Sequence, residues 1–309
     1  MRLAALSVDL DEIPCYHAIY GLPAASGATA HAVYERALPR YRDLLASLGV
    51  PCTFFAIGRD LIDATSASAL RALAHAGHEI ANHTQNHRYD LTRLSHEAML
   101  AEVRDGADTI ARACGARPTG FRAPGYTINE ELFDVLRECD VAYDSSVFPC
   151  PAYFSAKTLA IGWIGLRGRR SHSVVDTPLV LTAPADPYRV GRPYWNRANR
   201  PGALLELPIG VTVGARLPYI GQSIMLAGPD RSRALAWMMR GRPLVNLELH
   251  GLDLLGADED GLGDLATHQR DLRVPVERKL ATLRANVDSL RDAGYEFVTL
   301  ADAASQFAA

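Results

Sequence analysis

No two of the five cysteines stand in CxxC spacing: Cys15, Cys52, Cys114, Cys139 and Cys150 are scattered and odd in number. That excludes a zinc knuckle and argues against a disulfide framework, so the thiols read as reduced. No apolar run approaches the ~20 residues that a membrane-crossing helix needs. A charged-then-apolar leader is also missing, because Leu3 to Val8 runs straight into acidic residues, and a cytoplasmic protein is expected. Nor is there a basic excess. With 32 Lys+Arg against 35 Asp+Glu the formal charge is −3, so no nucleic acid is expected as a partner, and any basic patch must be local. Internal repeats, low-complexity tracts and a phosphate loop are absent too. Ser145 and Ser146 lack the setting of a nucleophile elbow, which sets serine hydrolase chemistry aside.

What is present is a chain of 309 residues, 48% of them hydrophobic, long enough for one α/β domain over 1–309 with a sizeable core. Leu3–Val8 reads as a buried parallel strand that delivers Asp9-Leu10-Asp11-Glu12 at its carboxyl end, where α/β proteins place their chemistry. On extended backbone Asp9 and Asp11 point the same way, so one can ligate a metal while the other stays free as a base. An acidic helix cap would explain the same residues. A helical pattern over Ala28–Leu48, a strand at Cys52–Ile57, a helix over Leu61–Ala76 and a strand at His78–Asn82 follow. Such strand–helix alternation points to a parallel barrel or open parallel sheet.

The third strand leads into Asn82-His83-Thr84-Gln85-Asn86-His87. Two histidines four apart share one face of a helix or helical turn, so both imidazoles can reach one cation. Two surface histidines on an amphipathic helix would have the same spacing. Ser95 caps a helix that runs to about Ala113. Beyond it, Arg122-Ala123-Pro124-Gly125-Tyr126 combines a tight turn with an arginine able to hold a buried carboxylate such as Asp9 ionised; a surface turn is the plainer reading. A helix over Asn129–Cys139 and a strand at Val141–Tyr143 lead to Asp144-Ser145-Ser146.

From Cys150 to Pro229 the composition changes, with short strands at Ser173–Val175 and Leu204–Leu207. Arg167, Arg169, Arg170, Arg189, Arg192, Arg197 and Arg200 stand among Trp163, Tyr188, Tyr194 and Trp195, a mixture suited to a phosphate or sugar ring, though also to a solvated loop. This stretch, about 150–230, reads as an irregular lid inserted in the domain. A helix over Arg231–Arg240 and a buried strand Leu244–Leu249 follow, the latter presenting His250 at its end as a candidate acid or base. The helix Pro275–Ala293 and the strand Glu296–Val298 close the domain.

In order, Ser7-Val8-Asp9-Leu10-Asp11, His83-Thr84-Gln85-Asn86-His87, Arg122-Ala123-Pro124-Gly125-Tyr126, Asp144-Ser145-Ser146 and Leu247-Glu248-Leu249-His250 resemble the five motifs of the polysaccharide deacetylases, carbohydrate esterase family 4. Ala76-Gly77-His78-Glu79-Ile80 and Gly294-Tyr295-Glu296-Phe297-Val298-Thr299-Leu300 look like that family as well. The resemblance covers about residues 3–150 and 244–300. It implies a distorted seven-stranded (β/α) barrel holding one divalent metal ion, zinc, on Asp11, His83 and His87. It further implies Asp9 as the base, Arg122 as the group that orients it, the backbone N–H of Tyr126 at the oxyanion, and His250 as the acid toward the leaving amine. Asp144 of the fourth motif and Trp195 of the arginine-rich stretch complete the expected substrate contacts. The chain departs from the family in its Asp9-x-Asp11 spacing, which resembles intracellular relatives, and in the arginine-rich stretch, which short secreted chitin and peptidoglycan deacetylases lack.

The implied function is a metal-dependent amide hydrolase that removes an N-acyl group, acetyl first, from a small or lipid-linked amino sugar, with peripheral membrane contact if the substrate is lipid-linked. The rivals are a deformylase of a lipid-phosphate-linked formamido sugar, a cyclic-amide hydrolase resembling cofactor-independent allantoinases, and a non-catalytic sugar binder.

Overall fold

Strand β1 (Leu3–Asp9) is buried along its whole length, as an apolar run without alternation requires, because such a strand has no face for water. It pairs in parallel with β2 (Cys52–Ala56) on one side and β8 (Leu244–His250) on the other. From β2 the sheet continues through β3 (Glu79–Asn82), β4 (Gly120–Phe121), β5 (Tyr143–Asp144) and β7 (Leu205–Glu206), all parallel. A short antiparallel strand β6 (Tyr188–Arg189) borders β7, and β9 (Glu296–Phe297) pairs with the start of β1. The structure, a computed structural model, describes residues 2–25, 27–175, 177–200 and 202–308.

Seven parallel strands therefore curl in the order β7-β5-β4-β3-β2-β1-β8. No ladder joins β7 to β8 among the described residues. The gap is crossed instead by Asn246 of β8, whose carbonyl accepts from Gly210 N–H at 2.9 Å and whose side-chain amide donates to the carbonyls of Leu207 and Pro208 at 3.2 and 3.3 Å. This is the distorted barrel that the motifs imply, closed by side-chain and loop hydrogen bonds at one seam.

Among the described residues nine α-helices surround it: α1 (Ile13–Tyr20), α2 (Leu38–Leu48), α3 (Ala64–His75), α4 (His96–Cys114), α5 (Glu130–Glu138), α6 (Pro151–Leu166), α7 (Gly221–Trp237), α8 (Val276–Asp292) and α9 (Leu300–Ala308). The caps are where the sequence puts them. Ser95 Oγ accepts from Ala98 N–H and Asn129 Oδ1 from Leu132 N–H, each satisfying an orphan donor of a helix start. All five cysteines are free thiols.

Several expectations are corrected. The helix expected over Ala28–Leu48 is broken into a 3₁₀ turn (Gly27–Thr29), a π-helical turn (Val33–Ala37) and α2. The cause is long-range: the Glu12 carboxylate accepts from the N–H groups of Val33 and Tyr34 at 3.0 and 3.1 Å and so sets where winding starts. Ser173–Val175 is not a strand. The helix expected at Arg231 begins ten residues earlier, at Gly221, and bends at Gly228-Pro229, where Gly228 takes φ +76°. The stretch 150–230 is irregular over much of 167–204 but also contains the helix α6 and supplies the barrel strand β7.

Candidate active site

Parallel strands all present their carboxyl ends on one side of the barrel, and there the polar motifs converge. Asp11 follows β1 by two residues and His83 follows β3 directly. His87 comes back over a loop rather than along a helix face, with Thr84 and His87 at φ +68° and +54°. The loop's N–H groups are held from outside it: Gln85 N–H donates to Glu102 O and Asn86 N–H to Glu102 Oε2, both at 2.9 Å, while Thr84 N–H donates to Asn82 Oδ1 at 3.0 Å. Those bonds offset the cost of two left-handed residues.

The loop also depends on Gly106 in the middle of α4. A Cβ there would lie 2.6 Å from Asn82 Oδ1, 2.8 Å from Thr84 C and 2.9 Å from Gln85 N. Gly106→Ala should gain up to about 1 kcal/mol of helix propensity yet displace the histidine loop. The expected outcome is a folded protein that retains much less metal after dialysis, read by elemental analysis beside the thermal midpoint.

Asp11, His83 and His87 are buried and bring ligand atoms within 4.8 Å of one another. His83 Nε2 stands 3.3 Å from Asp11 Oδ1, and His87 Nε2 stands 3.1 Å from Asp11 Oδ2. Neither Nε2 has a hydrogen-bond partner among the described residues, nor has Asp11 Oδ1. The Nδ1 of His83 lies 2.7 Å from the Arg122 carbonyl, an acceptor that fixes the proton on Nδ1 and leaves the Nε2 lone pair facing Asp11. Burial pushes the Asp11 carboxyl up, but His87 and His83 outweigh it and hold the group well below the usual carboxylate range. Two imidazole nitrogens and a carboxylate, converging in a buried site, fit a divalent cation of the zinc type.

Beside this triad, Arg122 Nη1 donates to Asp9 Oδ1 at 2.6 Å, with both groups buried. The other donors of the guanidinium reach Ser145 O (2.8 Å), Ser7 Oγ (2.9 Å) and Ser145 Oγ (2.9 Å), and its plane lies over the Phe55 ring at 4.1 Å. Asp9 is thereby fixed with its second oxygen 3.9 Å from His83 Nε2. Across the site, His250 Nδ1 stands 2.8 Å from Glu248 Oε1, and the two residues share a strand face because they are two apart. Burial alone would lower the His250 pKa; Glu248, Asp11 and Asp9 outweigh it and hold the imidazole well above its ordinary value. His250 is partly open to the cleft.

Three of the expected substrate contacts are placed differently. The Tyr126 N–H donates to Ala123 O at 3.0 Å inside the 3₁₀ turn Pro124–Tyr126, so it is committed to the turn and not offered to an oxyanion. The Tyr126 ring lines the cleft instead. Asp144 lies behind the site, opposite Glu206 on the neighbouring strand, and accepts from Ser146 Oγ at 2.7 Å. Burial raises both carboxyls, Glu206 the further because it faces Asp144. Trp195 packs edge-on against Tyr194, ring centres 5.0 Å apart, and lines no part of the cleft. Of the arginines, Arg189 donates to the carbonyls of Ala203 and Ala308, and Arg192 pairs with Asp134. Their work is structural.

The cleft itself measures about 280 Å³ and is mostly apolar, with Tyr16, Tyr20, Tyr89 and Tyr153 joining Tyr126, and Asp11, Glu248 and His250 at its base. Glu248, quoted only inside a motif, and Tyr16, Tyr20, Tyr89 and Tyr153 were given no role by the sequence reading. A signal for Glu248 was available, since a lone acid inside a buried strand two residues before a histidine must find a partner.

The fold and site thus define a curled parallel barrel with an aspartate–histidine group that could hold a metal ion, flanked by an arginine-held carboxylate and a carboxylate-held histidine. Residues 28–143, just over a third of the chain, match the polysaccharide deacetylase family model, and that segment is similar to the polysaccharide deacetylases. Over 72 residues it is 39% identical to a chitooligosaccharide deacetylase from Rhizobium leguminosarum bv. trifolii, a match covering 23% of this chain and 32% of that protein. The match thus spans about a third of that relative's length. A solved structure from Mycobacterium smegmatis that bears the polysaccharide deacetylase name shares the fold with a TM-score of 0.54 at 20% identity, over 96% of this chain and 93% of that one. A carbohydrate esterase family 4 pseudoenzyme from Bacillus anthracis superposes with a TM-score of 0.50 at 13% identity, over 97% of this chain and 64% of that one. Asp9, Asp11, Asp144 and His250 lie outside the segment matched by the family model.

Proposed function

We propose that the protein is a metal-dependent amide hydrolase that removes an N-acyl group, acetyl first, from a compact amino sugar, free or lipid-linked, in the cytoplasm. The observation that carries this reading is the convergence at one site of the buried Asp11/His83/His87 triad, an arginine-held carboxylate and a histidine held by Glu248. A divalent ion on the triad, zinc by its donor set, would supply Lewis acidity toward water and the acyl carbonyl. Asp9, held in place by Arg122, takes a proton from the attacking water. His250 gives one to the departing nitrogen, so that a free amine leaves rather than an amide anion. A cleft of about 280 Å³ walled by tyrosines is of a size for one compact unit, which supports a small substrate.

Two acid/base groups also separate this reading from a non-catalytic binder, for which neither Asp9 nor His250 has a use. The test incubates the metal-loaded wild type and Asp9→Asn with small-molecule and lipid extracts of the source cells. Mass spectrometry should find species that lose 42 mass units, the acetyl signature in the sense of a hydrolysed amide (about 28 for formyl), with wild type only. Turnover of ring amides in place of open-chain ones would move the assignment to a cyclic-amide hydrolase. Ligand retention without product would make it a binder.

The pH profile tests the acid separately. His250 must be protonated to act, so kcat/KM falls as pH rises through its pKa. Glu248 is the first of the charges that raise that pKa. Glu248→Gln should therefore move the alkaline limb to lower pH, whereas a merely structural Glu248 would leave the limb in place and lower only the amplitude.

A further inference from the structure

Helix α6 is apolar on two sides, and none of its residues is fully buried. Along its length it has one charged residue, Lys157. Tyr153, Ala156, Lys157, Ala160, Ile161 and Ile164 follow the spacing of one helix face and line the cleft. Lys157 Nζ donates to Gly125 O at 2.8 Å, which holds this face against the turn after Arg122. The outer face carries Leu159, Trp163 and Leu166, spaced i, i+4, i+7, with 73%, 56% and 83% of their surface exposed. A helix apolar all round is ordinarily buried. Large apolar side chains grouped on an exposed face mark a surface that something covers.

Charge indicates what covers it. Between Ser145 and Ala185 the sequence has four cationic residues, Lys157, Arg167, Arg169 and Arg170, and one acidic residue, in a chain of net charge −3. The three arginines follow directly on the end of α6 and are exposed, and the Arg167 guanidinium lies over the Trp163 ring at 4.6 Å. A wide groove of about 1160 Å³ runs beside the same helix and is lined by Arg93, Arg170 and His172. Leucine and tryptophan on one face with arginines at its edge is the composition of a helix that lies in a membrane interface. A second copy of this chain would instead bring two cationic patches together, which costs free energy.

We propose that α6 docks the protein on an anionic bilayer: Leu159, Trp163 and Leu166 enter the boundary between headgroups and acyl chains, and Arg167, Arg169 and Arg170 engage lipid phosphates. The cleft, on the opposite face of the same helix, then opens beside the headgroup layer. A lipid-anchored substrate could present its polar head there without leaving the bilayer. Docking is read without turnover, so it stands or falls apart from the hydrolase reading.

The experiment sediments the full chain with phosphatidylcholine vesicles, with and without phosphatidylglycerol. Wild type should bind the anionic vesicles and leave the zwitterionic ones largely free. Neutralising the three arginines together (R167Q/R169Q/R170Q) should weaken binding roughly 100-fold. The triple variant Leu159→Gln, Trp163→Gln, Leu166→Gln should lose both binding and the blue shift of tryptophan emission on adding vesicles. Circular dichroism and metal content should match wild type, since these side chains lie outside the core. Wild type that stays in the supernatant with anionic vesicles overturns the proposal, as do variants that bind like wild type. Self-association that the leucine–tryptophan variant abolishes, without vesicle binding, would assign the face to a second copy and also overturn it.

Discussion

Asp9→Asn is expected to lower turnover by about 10²- to 10⁴-fold, the range for a positioned general base, while divalent metal stays bound at the wild-type ratio. The two effects separate because Asp11, His83 and His87 form the metal group without Asp9. Asparagine keeps the shape of aspartate and can still accept from Arg122, but it cannot take a proton. His250→Ala should cost turnover on a similar scale with a smaller loss of stability, as His250 sits at the cleft whereas Asp9 is buried against a cation. Steady-state rates with elemental analysis of the same samples check both. A variant at Asp9 that turns over like wild type would remove the base from the mechanism.

The second large effect is on stability. Arg122→Met should destabilise the fold by about 3–5 kcal/mol, the cost of breaking a buried ion pair by removing one partner. Arg122 is fully buried, and its fork serves Asp9, the Ser7 and Ser145 hydroxyls and the Ser145 carbonyl at once. Taking it away leaves the Asp9 carboxylate without a cation and several acceptors without donors. It also loosens the link between β1, β4 and β5, because Ser145 in turn donates to Leu207 O and accepts from Asn246. Arg122→Lys should not rescue it, since one ammonium cannot reach partners spread across a planar fork. Urea unfolding measures the loss directly, and a midpoint equal to wild type would show the network to be dispensable.

These expectations rest on residues of which some were legible in the chain alone. β1, β2 and β8 announce themselves as apolar runs, and α4, α5 and α8 as periodic segments bounded by Ser95, Asn129 and Gly294, because solvent exclusion and capping act locally. Parallel strands with polar carboxyl ends then imply one shared site. On that ground Asp9, Asp11, His83, His87, Arg122 and His250 could be named without knowing the distances between them.

Only the tertiary structure decided the rest. The histidine loop takes left-handed backbone because Glu102 and Gly106 of α4 shape it from outside, which spacing alone cannot reveal. The register of β5 against β7 sets Asp144 opposite Glu206 and so turns an expected substrate contact into a buried pair. The turn at Pro124 consumes the Tyr126 N–H that the motif suggested for an oxyanion. Helix α6 escaped detection because a segment apolar on every side has no amphipathic period to read; its two faces acquire different surroundings only when the cleft forms beneath one of them. A side chain's type and spacing are properties of the local sequence, while its partner is set by contacts between segments far apart in the chain.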